Sequence, residues 1–437
     1  MYINVIGAGL AGCEAAYQIA KRKINVKLYD MKPKKKSPAH KSNNFAELVC
    51  SNSLKAERVC SAAGLLKEEM RFFDSLLLKC ADKARVPAGG ALAVDRDIFS
   101  KLVTDEINNN EFIEVVNEEV VKIPDDAITI IATGPLTSDK LSEDIANTFG
   151  NSLHFFDAAA PIVTLESIDM DCAFYESRYG KGDGDDYLNC PMNKEEYEVF
   201  YDALINAQRA PLHDFDVMDP KVYEGCMPIE VMAQRGKDTI RFGPMKPVGL
   251  TDPRTGHRPW AVLQLRKENV SGTMLNLVGF QTNLKFPEQE RVFRLIPALK
   301  NAEFIRYGVM HRNTFLNSPV ILRNDFSVKN SPNLFFAGQI TGVEGYMESA
   351  SSGIIAGINA ANRLKNKPSV SLPETTMMGS LSKYISDSYV KNFQPMGANF
   401  GILPELENRP RDKKARGQAY ADRSISDLNT NKSEVLF

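Results

Sequence analysis

The first thirty residues constrain the fold more than any other part of the chain. Ile3-Asn4-Val5-Ile6 reads as a short strand, Gly7-Ala8-Gly9-Leu10-Ala11-Gly12 as a turn, the Ala-rich stretch after it as a helix, and Val26-Lys27-Leu28-Tyr29-Asp30 as a second strand. This is the pattern of a dinucleotide-binding βαβ unit. Gly7 permits the tight turn, Gly9 lets backbone approach a pyrophosphate, Gly12 lets helix and strand pack closely, and the helix N-terminus supplies unpaired N–H donors. Asp30 lies 23 residues after Gly7 (30 − 7), where a carboxylate can accept the hydroxyls of an adenosine ribose. A glycine-rich turn by itself is weak evidence. Its setting, between a strand and a helix and ahead of an acid-terminated strand, is what points to a bound cofactor.

Two later segments have the same texture. Residues 127–132 form an apolar run entering Thr133-Gly134-Pro135, and residues 333–337 form another entering Gly338-Gln339. Short apolar runs bounded by Gly and Pro are what strands of a covered parallel sheet look like. After the second run, a small-residue helix opens at Glu348-Ser349-Ala350-Ser351-Ser352-Gly353. A return strand and helix bring a second helix N-terminus back to the first site, which suits a long ligand such as FAD. The plainer alternative is one more βα unit of the same sheet. No second strand-borne GxGxxG exists, so a nicotinamide visits rather than owns a domain.

Between about 159 and 270 the composition shifts to clustered Gly and Asp, frequent Pro, a helix-like stretch at 195–207 and short alternating strands. The expected architecture is therefore α/β: a Rossmann-type FAD-binding domain formed by residues 1–158 and 271–437, with an inserted α+β domain at 159–270. A further helix is expected around 65–81.

A chain of 437 residues, 43% hydrophobic and 25% charged, is long enough for two or three domains with a sizeable core. Its formal net charge of −2 gives no global attraction to nucleic acid, so RNA binding has to come from local basic clusters. Seven cysteines without a CxxC pair argue against a disulfide framework and a zinc site, and five scattered histidines form no HExxH pattern; no metal is expected. The chain opens on its first strand with no basic leader, and no apolar run reaches the roughly 18 residues needed to span a bilayer. A reducing cytoplasm is the expected setting, without membrane attachment. Oligomeric state is not legible.

Two cysteines stand out. Cys50 precedes Ser51-Asn52-Ser53-Leu54-Lys55, residues suited to capping a helix that starts just after it, where the helix N-terminus and Lys55 or Arg58 could acidify the thiol. A buried structural cysteine is the alternative. Cys226 lies in a glycine-to-proline loop, Gly225-Cys226-Met227-Pro228, and is either an exposed nucleophile facing a site between domains or a thiol packed in a turn. Cys13, Cys60, Cys80 and Cys172 read as small core hydrophobes. The basic stretches around Lys34, Lys35 and Lys36 and around Arg411, Lys413 and Lys414 are either phosphate contacts or solvated faces. His311 reads equally as a satisfied structural histidine and as an aromatic platform.

Several longer motifs occur together: Glu47-Leu48-Val49-Cys50-Ser51-Asn52-Ser53, Val86-Pro87-Ala88-Gly89-Gly90-Ala91-Leu92, Gly225-Cys226-Met227-Pro228-Ile229-Glu230, Phe242-Gly243-Pro244-Met245-Lys246-Pro247 and Phe335-Phe336-Ala337-Gly338-Gln339. On these the chain resembles, over nearly its whole length, the bacterial folate- and FAD-dependent tRNA (uracil-5-)-methyltransferases. The resemblance implies FAD as cofactor, 5,10-methylenetetrahydrofolate as carbon donor, NAD(P)H as reductant and a T-loop uracil of tRNA as substrate; the same chemistry on ribosomal RNA is the alternative. It also implies roles for residues: Cys226 as nucleophile toward uracil C6, Cys50 as a second functional cysteine near the flavin, and His311 against the pterin. Rival readings are a wobble-uridine-modifying flavoenzyme, expected to carry a longer C-terminal helical region, and a nonenzymatic flavin- or RNA-binding protein.

Overall fold

The structure is a computed structural model and describes residues 1–37, 39–150, 153–158, 160–180, 184, 186–210, 227–390 and 393–432, with side chains left out at 153–158 and 311–314. Its first layer is a six-stranded sheet. Tyr2–Ile6 pairs in parallel with Asn25–Tyr29 on one side and Ile128–Ile131 on the other. Beyond these, Ile113–Val116 extends the sheet past Asn25–Tyr29, and Ser331–Phe336 extends it past Ile128–Ile131. The short strand Ser327–Val328 turns back antiparallel at that edge. Strands buried on both faces read as apolar runs, and all four residues of Ile128–Ile131 are buried.

Helices Leu10–Ala20 and Tyr346–Leu364 cover this sheet. They pack backbone to backbone: a Cβ on Gly353 would collide with the Ala11 backbone, and one on Gly357 would come within 2.7 Å of the Ala15 carbonyl oxygen. The small-residue run legible in the sequence is thus the contact surface between the two helices.

The second layer is an antiparallel six-stranded sheet ordered Phe174–Tyr175, Tyr187–Met192, Ala261–Lys267, Met274–Leu277, Ile162–Thr164, Phe304–Arg306. It has its own core, in which Phe280 lies between Phe200 and Phe293 with ring centroids 6.0 and 5.4 Å away. The strands of this sheet continue past residue 270, because Met274–Leu277 and Phe304–Arg306 both pair with Ile162–Thr164. Helix Lys194–Ile205 packs on it and starts at a capping box between Asn193 and Glu196. Backbone strands Leu153–Ala158 and Met310–Phe315 form a separate antiparallel ribbon that pairs His311 with Asp157. Among the described residues no helix is long and apolar enough to cross a membrane.

Three sequence expectations are corrected. The helix expected around 65–81 is two helices, Ala62–Phe72 and Leu76–Lys83. The break falls at Asp74, whose φ is +61°, and at Ser75, whose hydroxyl caps the second helix at Leu78 N–H. Cys50 caps no helix: Ser53–Ala56 is a strand antiparallel to Ala91–Val94, and Lys55 has φ +65°. Cys13 and Cys80 are buried as expected, whereas Cys60 and Cys172 are partly exposed.

Candidate active site

At the C-terminal edge of the first sheet the loops open a cleft of about 1330 Å³, counting its open mouth. Its floor is the glycine turn. Gly7 has φ +100°, and a Cβ there would lie 2.7 Å from the Ala132 carbonyl oxygen, so neither the turn nor the neighbouring strand tolerates a side chain. A Cβ on Gly12 would collide with the Gly7 carbonyl. The position of a Cβ on Gly9 meets nothing within 4 Å, which leaves open space against the backbone at the start of helix Leu10–Ala20. That helix has no side chain capping its N-terminus, so its first N–H groups remain available to an anion.

Asp30 anchors the turn while facing the cleft. Its Oδ2 accepts the Ala8 N–H at 2.9 Å and its Oδ1 the Lys32 N–H at 2.8 Å. Each carboxylate oxygen keeps a further lone pair for a ligand hydroxyl. Thr133 and Gly134 from the strand Ile128–Ile131 side, and Gly338 and Gln339 after Ser331–Phe336, line the same cleft as Ala8, Leu10 and Ala11.

Gly12, Ser352 and Gly353 stand behind the wall. Ser352 Oγ accepts the Gly338 N–H at 2.7 Å, holding the second glycine turn, and Gly353 makes room for Ala11. The end of the long helix that reaches the cleft is Tyr346 and Ser349. Ser349 lies in the small-residue run that marks this helix in the sequence, whereas Tyr346, two residues ahead of that run, is not assigned to the site by the sequence. Glu118 and Glu119, also in the wall, follow a strand at Ile113–Val116 whose weak pattern was not read as a strand.

Cys50 lines the same cleft as the glycine turn. Its loop is braced by three arginines from three elements. Arg96 donates to the Leu48 and Val49 carbonyls at 3.0 Å each, Arg306 to the Val49 carbonyl at 2.6 Å, and Arg266 to Ser51 Oγ at 3.1 Å. Arg266 also donates twice to Asn52 Oδ1, at 3.0 and 2.7 Å. Glu268 is buried and ion-paired to Arg96. Burial pushes Arg266 and Arg306 below the usual guanidinium range, and the neighbouring Arg96 charge lowers Arg306 further. This cluster joins the first sheet's unit to the second sheet's at the residues flanking Cys50.

Cys226 falls outside the described residues, and His311 is described by its backbone alone. Lys34, Lys35 and Lys36 are exposed near the cleft mouth, with Lys35 paired to Glu119 at 2.7 Å. Arg411, Lys413 and Lys414 are exposed at the start of helix Lys413–Thr430. Among the described residues no group of three or more His, Cys, Asp or Glu is placed to hold a metal ion.

A parallel sheet with a glycine cradle, an acid after its second strand and a return helix defines a dinucleotide-binding α/β protein of the flavoprotein type. The family model described as "Glucose inhibited division protein A" (GIDA) matches residues 2–368, and the chain belongs to that family and, within it, to the methylenetetrahydrofolate--tRNA-(uracil-5-)-methyltransferase group. A relative of that name from Acetivibrio thermocellus is 64% identical over 428 residues, covering 98% of each chain. Another from Lactobacillus acidophilus is 56% identical, covering 99% of each. The solved structure of Aquifex aeolicus GidA shares the fold, with a TM-score of 0.72 over 100% of this chain and 74% of that one at 16% identity.

Proposed function

We propose that the chain is an FAD-dependent methyltransferase that forms 5-methyluridine in the T-loop of tRNA, with 5,10-methylenetetrahydrofolate as carbon donor and NAD(P)H as reductant, working in the cytoplasm. The observation that carries this is identity of 56–64% along nearly the entire chain to relatives named for that reaction, on a fold whose cleft suits a dinucleotide.

The chain's own groups fit FAD. The open backbone at Gly9 and the uncapped N-terminus of Leu10–Ala20 would hold the pyrophosphate, Asp30 the ribose, and the wall of Gly338, Gln339 and Tyr346 the far end. When bound, the flavin supplies electrons and relays the one-carbon unit. Cys226 is the nucleophile in this reading. Uracil C5 attacks poorly until a thiolate adds at C6 and places enolate character on C5; loss of the C5 proton and expulsion of the thiolate then restore the ring. Cys50 is the second functional thiol, and His311, on the strand Met310–Phe315, packs against the pterin. The three partners meet between the dinucleotide-binding unit and the unit built on the second sheet.

The basic faces carry the RNA in this reading. Lys34, Lys35 and Lys36 form one. The other comprises Arg411, Lys413 and Lys414 beside a hollow of about 990 Å³ that Arg409, Lys413 and Arg416 rim, over Phe400 and Tyr420 stacked at 5.1 Å.

The test is mass spectrometry of RNA incubated with protein, methylenetetrahydrofolate and NADPH, with tRNA and ribosomal RNA in separate arms. Folate-dependent 5-methyluridine in tRNA is expected, and its loss in Cys226→Ala. Absence of the product in both RNAs, from flavin-loaded protein, rejects the reading; product in ribosomal RNA alone moves the substrate.

A further inference from the structure

The hydrogen bonds around Tyr346 fix the direction of one proton. Its hydroxyl oxygen receives the Cys50 N–H at 2.8 Å and the Ser51 N–H at 3.1 Å, and it stands 2.9 Å from Cys50 Sγ. A phenol has one O–H to donate and at most two lone-pair positions to offer. Backbone amides can only donate, so both lone-pair positions are committed to them. The phenol's own proton is then the one left for the sulfur, and the sulfur is the acceptor. An acceptor sulfur favours the thiolate over the thiol, because a hydrogen bond to the charged form stabilises that form.

We propose that Tyr346 is a positioning residue that holds Cys50 as a thiolate facing the dinucleotide cleft. Ionisation releases the thiol proton to solvent in the cleft, while Tyr346 keeps its own proton and no other bond changes. The surrounding charge acts in the same direction. Arg96, Arg266 and Arg306 brace the loop on either side of Cys50, against one buried carboxylate among them, Glu268. Nearby cations lower a thiol's pKa. Glu47 also lines the cleft, but its two oxygens are engaged by the N–H groups of Lys41 and Ser42 at 3.0 and 3.1 Å. Burial pushes the phenol well above 10, so Tyr346 stays the donor across the pH range in which the enzyme would work.

The inference concerns the thiol and not the RNA, so it stands or falls separately from the substrate reading. The test is pulse alkylation of the flavin-loaded protein with iodoacetamide across pH 5 to 10, reading the Cys50 peptide by mass spectrometry with half-exposed Cys60 as internal reference. In the wild-type protein the Cys50 midpoint should fall at least about one unit below the roughly 8.5 of a free thiol. In Tyr346→Phe it should rise by about one unit or more, read on the fraction of the variant that carries flavin. Site-specific 3-fluorotyrosine at position 346 keeps both lone pairs and strengthens the O–H as a donor, so the midpoint should drop below wild type; this variant decides the matter if the phenylalanine variant fails to fold. A wild-type midpoint at the free-thiol value overturns the proposal. So does a midpoint that neither variant moves, which would leave Tyr346 as only a brace for the loop.

Discussion

Asn52 shows how much one side chain carries where the two sheets meet. It is fully buried; its amide nitrogen donates to the Val94 and Lys267 carbonyls at 3.1 and 3.0 Å, while its oxygen takes two bonds from Arg266. Asn52→Ala strands a buried guanidinium and two carbonyls, and should cost about 2–5 kcal/mol, read as a shift of the urea midpoint. Two buried carboxylates act differently. Glu14 accepts from Ser75 and the Leu76 and Leu77 N–H groups, and Glu69 from Ser424 and the Met377 and Met378 N–H groups, each closing the start of a helix. Burial nevertheless pushes each up to about 7 from an ordinary value of 4.5. The folded chain then holds more protons than the unfolded chain between those values, so their contribution to stability is full below pH 4.5 and is lost as pH rises through 7. Urea midpoints for wild type and Glu69→Gln at pH 5 and pH 7 check this: the wild type should lose more stability over that interval than the variant does. Parallel losses would refute the assignment.

At the scale of elements, the cradle depends on how closely two helices approach. Leu10–Ala20 can carry the glycine turn against the first sheet only because Gly353 and Gly357 admit its backbone from the other side. Gly353→Val places a branched side chain into Ala11 and should push the turn off its sheet. The expected result is protein with much less flavin absorbance near 450 nm per unit of protein and a lowered melting temperature. Gly9→Ala is the matched comparison. Its new methyl meets no protein atom, so stability should hold while flavin affinity falls. Were Gly9→Ala to bind flavin as well as wild type, the pyrophosphate would not lie against that turn.

Across the whole molecule the formal charge is −2, so RNA affinity has to arise from faces rather than from overall attraction. If Arg411, Lys413 and Lys414 contact phosphates, log affinity should fall with log salt by roughly 0.7 to 0.9 per contact, and replacing all three by alanine should lower that slope by about 2 to 3. Filter-binding at several salt concentrations measures it. An unchanged slope assigns this face to solvent. Lys35 is a weaker candidate than its sequence setting suggests, because its ammonium already pairs with Glu119.

The glycine turn, the acid after the second strand and the apolar runs of the first sheet were readable because each is decided by neighbours a few residues away: a turn needing glycine, a strand needing two covered faces. The helix break at Asp74 and Ser75 is also local, yet an unbroken apolar pattern concealed it. The surroundings of Cys50 were not readable at all. The sequence offered a helix cap with Lys55 and Arg58; folding instead gave the thiol Tyr346, 296 positions away, and a loop held by Arg266, 214 positions from Asn52. Lys55 meanwhile pairs with Glu348. The sequence by itself therefore determined the glycine turn, the acid that anchors it and the apolar strands around it. Only the tertiary structure decided which groups surround Cys50, because a hydrogen bond between distant segments leaves no periodicity in either of them.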